Sequence, residues 1–464
     1  MTQLLETLEH IVGVGGCVTD AADLRPHLTE WRGTYVGRTA ALVKPRSVEE
    51  VSAVVKACAD VGAAIVPQGG NTGMCGGCVP DESGDQVILS LEKMNRVRII
   101  DAENFSMEVE AGCILANAQD AAKASDRYLP LSLGAEGSCQ VGGNIATNAG
   151  GINVGRYGTA RALVLGLEVV LADGTIVDSM RSLRKDTAGY DLKQLFIGSE
   201  GTLGIITAAS LRLFPDPGPI STALLGIESA AIAVDLFGDL RTALDDRIES
   251  FELVSEYVFG LVTEHIPDAR LPFETSYPWY VLIDSATGAS EEALENALGE
   301  AAKRGQLLDA VIAKNETEAA ELWRLRHSIA EAERASGKGV KHDISVPLSS
   351  MQAFLRGGDE LLAADWPDAQ LVAFGHIGDG NLHYNVVLPG VLSETEWKAE
   401  GERVSRAVYD LVQACGGSFS AEHGVGQAKR AWLERYRGGP ELDLMRKLKN
   451  TLDPANILNP GKVI

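Results

Sequence analysis

Two glycine-dense runs constrain this 464-residue chain more than any other feature. PQGGNTGMCGG covers 67–77, directly after a strand-like apolar run, and GAEGSCQVGGNIATNAGG covers 134–151. Both mix Gly with Ser, Thr and Asn. Where Cβ is absent, backbone N–H groups approach a ligand closely, and successive amides form an anion-binding nest. Two such loops suit a pyrophosphate. No G-x-x-x-x-G-K-[ST] occurs, which excludes a P-loop NTPase. No G-x-G-x-x-G joins a strand to a helix with an acid about 20 residues on, so a nicotinamide Rossmann site is unsupported. The G-x-x-G-x-x-G at Gly198–Gly204 runs into a strand instead.

The elements around these loops alternate. Strands are expected at 41–43, 63–67, 87–89, 107–111, 166–171 and 204–213. A helix is expected over 47–61, with Ser47 as cap and early acids. The run FPDPGP at 214–219 is the clearest break in the chain. Beyond it, helices are expected over 229–244, 289–304 and 393–415, and strands over 279–283 and 371–374. This is an α+β pattern with antiparallel hairpins. A C-terminal segment ends in a helix over 441–451 and the tail DPANILNPGKVI. Three regions follow: 1–218, 219–412 and 413–464.

Histidine is scarce, with eight in the chain, yet two fall in GHIGDGNLHYNV, Gly375–Val386. Asp-Gly between alternating apolar residues signals a hairpin. With Asp379 and Gly380 at a two-residue tip, His376 faces His383, and Asn385 joins the same sheet face. Neutral imidazoles suit zinc and related divalent ions. A structural pair bonded to backbone is the alternative, and a carboxylate ligand from elsewhere would decide for a metal.

The net charge is −23 and the pI near 4.8, which argues against nucleic acid and anionic membranes as partners. An anionic substrate would then need local Arg or Lys. Seven scattered cysteines fit a reducing compartment better than a disulfide framework. Cys75 and Cys78 form a C-x-x-C with no second pair. No apolar run is long enough to span a bilayer. The N-terminus MTQLLETLEHIVG lacks a basic n-region, so a cytoplasmic location is expected.

PQGGNTG, GNIATNAGG and LRKDTAGYDLKQLFIGSEGTLGIIT together resemble the FAD-binding half of the vanillyl-alcohol oxidase (PCMH) type flavoproteins. Within that superfamily the chain looks like the D-2-hydroxyglutarate dehydrogenases and related FAD-linked D-2-hydroxyacid dehydrogenases, from about Trp31 to the final NPGK. The resemblance implies an FAD domain of two subdomains over 1–218, an α+β substrate (cap) domain with an antiparallel sheet over 219–412, and a segment returning to the FAD over 413–464. It puts the pyrophosphate on Gly69, Gly70, Asn71, Thr72 and Gly73, and on Ser138, Gly142, Gly143 and Asn144. Pro67, Gly134 and Gly201 belong to the same site. The ring edge would lie near Thr147, Asn148, Gly150 and Gly151, with Ile206 near the adenine side and Asn459 returning to the flavin. Neither glycine loop contains a histidine, so noncovalent FAD is expected.

The same resemblance assigns a zinc-like divalent ion to His376, His383 and Glu422, the last from SAEHGVG at 420–426. His423 would be the general base toward a 2-hydroxy acid, since imidazole titrates near neutral pH. Arg326, Lys341 and Asn385 match positions that hold the substrate. Taken alone, Arg326 on an amphipathic helix reads as a solvated face. The run KHDISVP resembles the 2-hydroxyglutarate type, whereas lactate-type relatives carry a TDVCVP-like run. One departure is Ala330, where human-type members have Thr, and this leaves the substrate's chain length open. The leading expectation is oxidation of D-2-hydroxyglutarate, with D-malate second. A D-lactate or glycolate dehydrogenase of the same fold, a metal-dependent hydrolase and a silent redox subunit are the competing readings. An electron-transfer flavoprotein or a quinone is implied as acceptor, and a homodimer as the assembly.

Overall fold

The computed structural model describes residues 1–286, 292–390 and 392–464. They form two compact units, Met1–Gly150 with Tyr157–Asp216 and Glu422–Ile464, and Gly151–Arg156 with Pro217–Ala421. The proline-rich run 214–219 spans the division between Asp216 and Pro217.

The first unit carries two sheets. In one, Ala41–Val43, Val87–Ser90 and Ile65–Gln68 run parallel, and Cys17–Val18 adds an antiparallel edge. Parallel neighbours need a crossover. The helix Val48–Val61 carries the chain from Ala41–Val43 to Ile65–Gln68, the two strands that flank Val87–Ser90, and buries Val51, Val54, Val55 and Cys58. Ser47 Oγ accepts from Glu50 N at 3.3 Å, and Gly62 ends the helix at φ 69°, where a Cβ would be strained. The second sheet is antiparallel, in the order Val97–Asp101, Ser106–Glu110, Ile205–Arg212, Val164–Val170, Ile176–Asp178. One apolar core joins the two sheets. The C-terminal tail returns to the first sheet through a parallel bridge between Ile65 and Leu458. Buried Lys449 fixes that return by donating to Asp453 Oδ2, Thr202 O and Leu458 O at 2.5–2.9 Å.

The second unit is built on an eight-stranded antiparallel sheet. Its strands run in the order Asp309–Ile312, Ile220–Ile227, Trp279–Ala286, Ile248–Ser255, Gln370–Gly375, Asn381–Val387 and Gly339–Val340, and Asp343–Ser345 also pairs with Asn381–Val387. Helices Glu256–His265, Glu316–His327 and Ile329–Ser336 cover one face, packing on Leu224, Val254, Tyr280, Leu282, Val372 and Phe374. The other face is covered in part by Leu348–Asp365, whose Phe354 meets the buried Tyr384 edge-on. The helix expected over 289–304 is present as Ala293–Lys303, and its first residues, 289–291, lie outside the described residues. Among the described residues, no helix is long and apolar enough to cross a membrane.

Two expectations are corrected. The second glycine run is not all loop: Val141–Ala146 is a short helix entered from extended Gln140. The histidine hairpin has a different register. Phe374, not His376, pairs with His383, and Val372 pairs with Asn385. Ile377–Asp379 forms a 3-10 turn ended by Gly380 at φ 82°, so His376 leaves the ladder. Asp379 Oδ1 accepts from Asn381 N at 3.0 Å. The Asp-Gly pair therefore closes a longer turn rather than forming a two-residue tip.

Asp284, in the strand Trp279–Ala286, is only partly accessible and accepts from Thr222 Oγ1 and Trp323 Nε1. Burial pushes its carboxyl up to about 6, against the lowering effect of these bonds. A carboxyl held more protonated when folded loses stability as pH rises from its unfolded value through about 6. Asp284→Asn should therefore stabilise the protein by about 1–2 kcal/mol at pH 8 and by little at pH 4. Urea unfolding at the two pH values measures this, and equal effects at both would contradict it.

Candidate active site

The first unit contains a cavity built from both glycine runs. Its walls include Pro67, Gly69–Gly73, Gly142–Asn144, Thr147, Gly201, Ile206 and His423. Several of these glycines have no alternative. A Cβ on Gly70 would lie 2.1 Å from Ser138 O, and one on Gly142 would lie 2.5 Å from the Ala111 side chain. Asn71, at φ 54°, spends its amide on Pro26 O and Thr29 O at 3.1 and 2.9 Å. Gln140 also lines the cavity, and its buried Oε1 has no hydrogen-bond partner among the described residues. Such an atom calls for a donor from a bound group.

His423 is carried by a loop that a buried carboxylate holds. Glu200 accepts from Val425 N at 2.7 Å and Gly426 N at 2.8 Å. Burial raises the Glu200 pKa, partly offset by these N–H donors. Cys75 O accepts from Gln427 N and Ala428 N on the same loop. Gly150 gives Glu422 its space, since a Cβ there would lie 2.5 Å from Glu422 Oε1.

In the second unit, the helix-covered face of the sheet turns polar at one end. Glu252, fully buried in the central strand Ile248–Ser255, hydrogen-bonds His376 Nδ1. Its Oε2 accepts from Arg326 Nε at 2.7 Å. The Arg326 guanidinium lies 4.9 Å over the Phe374 ring. Burial alone would raise the Glu252 pKa, but His376 and Arg326 outweigh it and hold the carboxyl at about 2. The His376 and His383 ring centres are 6.0 Å apart at 75°. His376 commits Nδ1 to Glu252, so Nε2 is the ring atom that a metal would take. His383 Nδ1 lies 3.9 Å from Asp343 Oδ1. Ala421 N donates to Asp343 O at 3.2 Å, and Asp343 is the register partner of His383. Glu422 is the next residue in the chain.

A second buried carboxylate lies along this face. Glu333 Oε1 accepts from Asn385 Nδ2 at 2.9 Å, and its Oε2 accepts from Lys341 Nζ at 3.0 Å. Asn385 Oδ1 accepts from His342 N at 3.0 Å. Ala330 is exposed on the same helix as Glu333.

The remaining expected residues lie elsewhere in the two units. Asn148 accepts from Arg161 N, and Ser138 Oγ donates to Ala135 O. Gly134 has open space around it, and Gly151 belongs to the second unit. Asn459 donates to Gly77 O and Glu200 O, and its Oδ1 is buried with no hydrogen-bond partner among the described residues. Glu200, Glu252, Glu333 and Gln140 were not anticipated from sequence. Two acids inside the otherwise strand-like IESFELVS were the available signal for Glu252.

Residues 39–179 match the FAD binding domain family, and residues 217–463 match FAD linked oxidases, C-terminal domain. The D-2-hydroxyglutarate dehydrogenase of Xanthomonas citri pv. viticola is 40% identical over 447 residues, 96% of this chain and 93% of that protein. The mitochondrial D-2-hydroxyglutarate dehydrogenase of Bos taurus is 40% identical over 464 residues, 99% of this chain and 83% of that one. Among solved structures, p-cresol methylhydroxylase superposes with a TM-score of 0.76 at 18% identity, covering 100% of this chain and 96% of its own. Alkyldihydroxyacetonephosphate synthase gives 0.73 at 16%, covering 99% and 84%. These two likenesses show the fold alone, an α+β architecture of the PCMH type expected from the sequence. With both halves matched and high identity along nearly its whole length, the chain belongs to the FAD-linked oxidase family, among its FAD-dependent D-2-hydroxyacid dehydrogenases.

Proposed function

We propose that this enzyme oxidises D-2-hydroxyglutarate to the corresponding 2-oxo acid, with D-malate as a poorer substrate. The observation that carries the reading is the polar end of the second unit's sheet. There two cations, Arg326 and Lys341, share one face with His376, His383 and Asn385. One substrate carboxylate needs one cation, and a second carboxylate needs another. The names of the relatives point to the same diacid.

FAD fits the glycine-lined cavity, where Gly70 and Gly142 exclude any side chain and Gln140 Oε1 awaits a donor. His376, His383 and Glu422 would hold a divalent ion as a His2Glu set, a pattern that leaves a position open for substrate. FAD, when bound, supplies the acceptor for two electrons and the C2 hydrogen, and the metal supplies a Lewis acid that acidifies the C2 hydroxyl. The residues do the rest. His423 takes the hydroxyl proton. Arg326, Lys341 and Asn385 hold the carboxylates. Glu252 fixes the His376 ring and Glu200 fixes the loop of His423. Electrons then pass to a protein or quinone acceptor.

The FAD is expected to be noncovalent. Neither glycine run contains histidine, and burial pushes the Cys78 thiol to about 11 and raises that of Cys139. Acid precipitation should release yellow flavin to the supernatant, and flavin retained in the pellet would contradict the proposal.

Metal dependence makes a separate prediction. Chelation, or His383→Ala, should slow flavin reduction by D-2-hydroxyglutarate about 100-fold or more while FAD stays bound. Anaerobic stopped-flow absorbance measures it. Full-rate reduction by chelated enzyme with no stoichiometric metal would remove the ion from the account.

A further inference from the structure

Lys341 and Asn385 are not waiting unpaired for a substrate. Both are held by Glu333, which is 3% exposed and bonded to Lys341 Nζ at 3.0 Å and Asn385 Nδ2 at 2.9 Å. The Lys341 side chain is 32% exposed, so the lysine is the solvent-facing member of the pair. Asn385 spends its Oδ1 on His342 N. The group that would neutralise a second substrate carboxylate therefore already carries a carboxylate, on a protein of net charge −23. Ala330, one helical turn before Glu333, offers no hydroxyl in compensation.

We propose that Glu333 is a specificity-determining residue, a built-in carboxylate that competes with the distal carboxylate of the substrate for Lys341 and Asn385. This rests on the reading that those two residues receive the distal carboxylate. Lys341 has three N–H donors and the Asn385 amide has two. A diacid can bind through the donors that Glu333 leaves, but only beside its charge. Like charges in close approach oppose each other strongly once partly desolvated. Glu333 thus sets a high KM for diacids and leaves a chain ending in methyl almost untouched. It also keeps Lys341 paired, and Asn385 satisfied, when no substrate is present.

The test uses the FAD-loaded, full-length enzyme and two five-carbon substrates that differ only at the distal end, D-2-hydroxyglutarate and D-2-hydroxypentanoate. Glu333→Gln keeps the size of the side chain and an acceptor for Asn385, and removes the charge. It should lower KM for D-2-hydroxyglutarate about tenfold and shift KM for D-2-hydroxypentanoate by less than about twofold. Glu333→Met, which is near in size and favours helix, is the second variant and should move the ratio the same way. Retained flavin absorbance certifies each variant. Binding is read in parallel by perturbation of the flavin spectrum with 2-oxoglutarate and 2-oxopentanoate. This ratio reports on Glu333 even if D-2-hydroxyglutarate fails to reduce the wild-type flavin, a result that would sink the proposed function alone. Equal shifts for both ligands, or an unchanged or raised KM and Kd for the diacid, would overturn the inference.

Discussion

The second unit is organised around one buried carboxylate. Glu252 lies in the middle of a sheet covered on both faces and accepts from Arg326 on a helix while holding His376 in a turn. An ionised group in such a place is tolerated only when it is paired and fully hydrogen-bonded, and removing one partner typically costs about 3–5 kcal/mol. The three elements are therefore fixed to one another by a single charge. The same bond selects which nitrogen of His376 is offered outward. Structure and chemistry share one interaction here, and the local packing cannot loosen without disturbing the histidine.

The arrangement recurs. Glu333 gathers Lys341 and Asn385 farther along the same face, and Glu200 gathers two backbone N–H groups under the loop that carries His423. Each of these acids takes one partner through each oxygen; the partners of Glu252 and Glu333 are themselves proposed functional residues, and those of Glu200 lie two and three residues beyond His423. The net charge of −23 says nothing of where individual acids sit. These three carboxylates are interior scaffolding. Two of them, Glu252 and Glu333, fix the positions of the cations Arg326 and Lys341, so an anionic substrate meets each cation beside its own buried counter-charge.

The legible parts of the fold were those with strong local signals. Ser47 caps its helix as its chemistry dictates, and the strands expected at 41–43 and 87–89 follow from short apolar runs and are present as Ala41–Val43 and Val87–Ser90. The strand holding Glu252 was not read, because a strand buried on both faces loses the alternation that identifies it, and two glutamates argue locally for exposure. The glycines of Val141–Ala146 disfavour helix and point to a loop, yet Gly142 is required where its backbone passes Ala111. The histidines were paired for an incomplete reason. Their rings are close, but through a 3-10 turn that Asp379 and Gly380 stabilise, not through a two-residue hairpin. Glu333 lies on Ile329–Ser336, and only its tertiary partners Lys341 and Asn385 reveal it.

The most direct test of the account is the metal affinity of Glu252→Gln, measured by titrating chelator-stripped enzyme with zinc while the flavin absorbance reports on the integrity of the FAD unit. If Glu252 orients His376 as the geometry indicates, the variant keeps its flavin and loses affinity for the metal by about 10–100-fold, with flavin reduction by D-2-hydroxyglutarate falling in step. Unchanged metal affinity together with an unchanged reduction rate would show that the buried carboxylate serves packing alone, and would contradict the central claim.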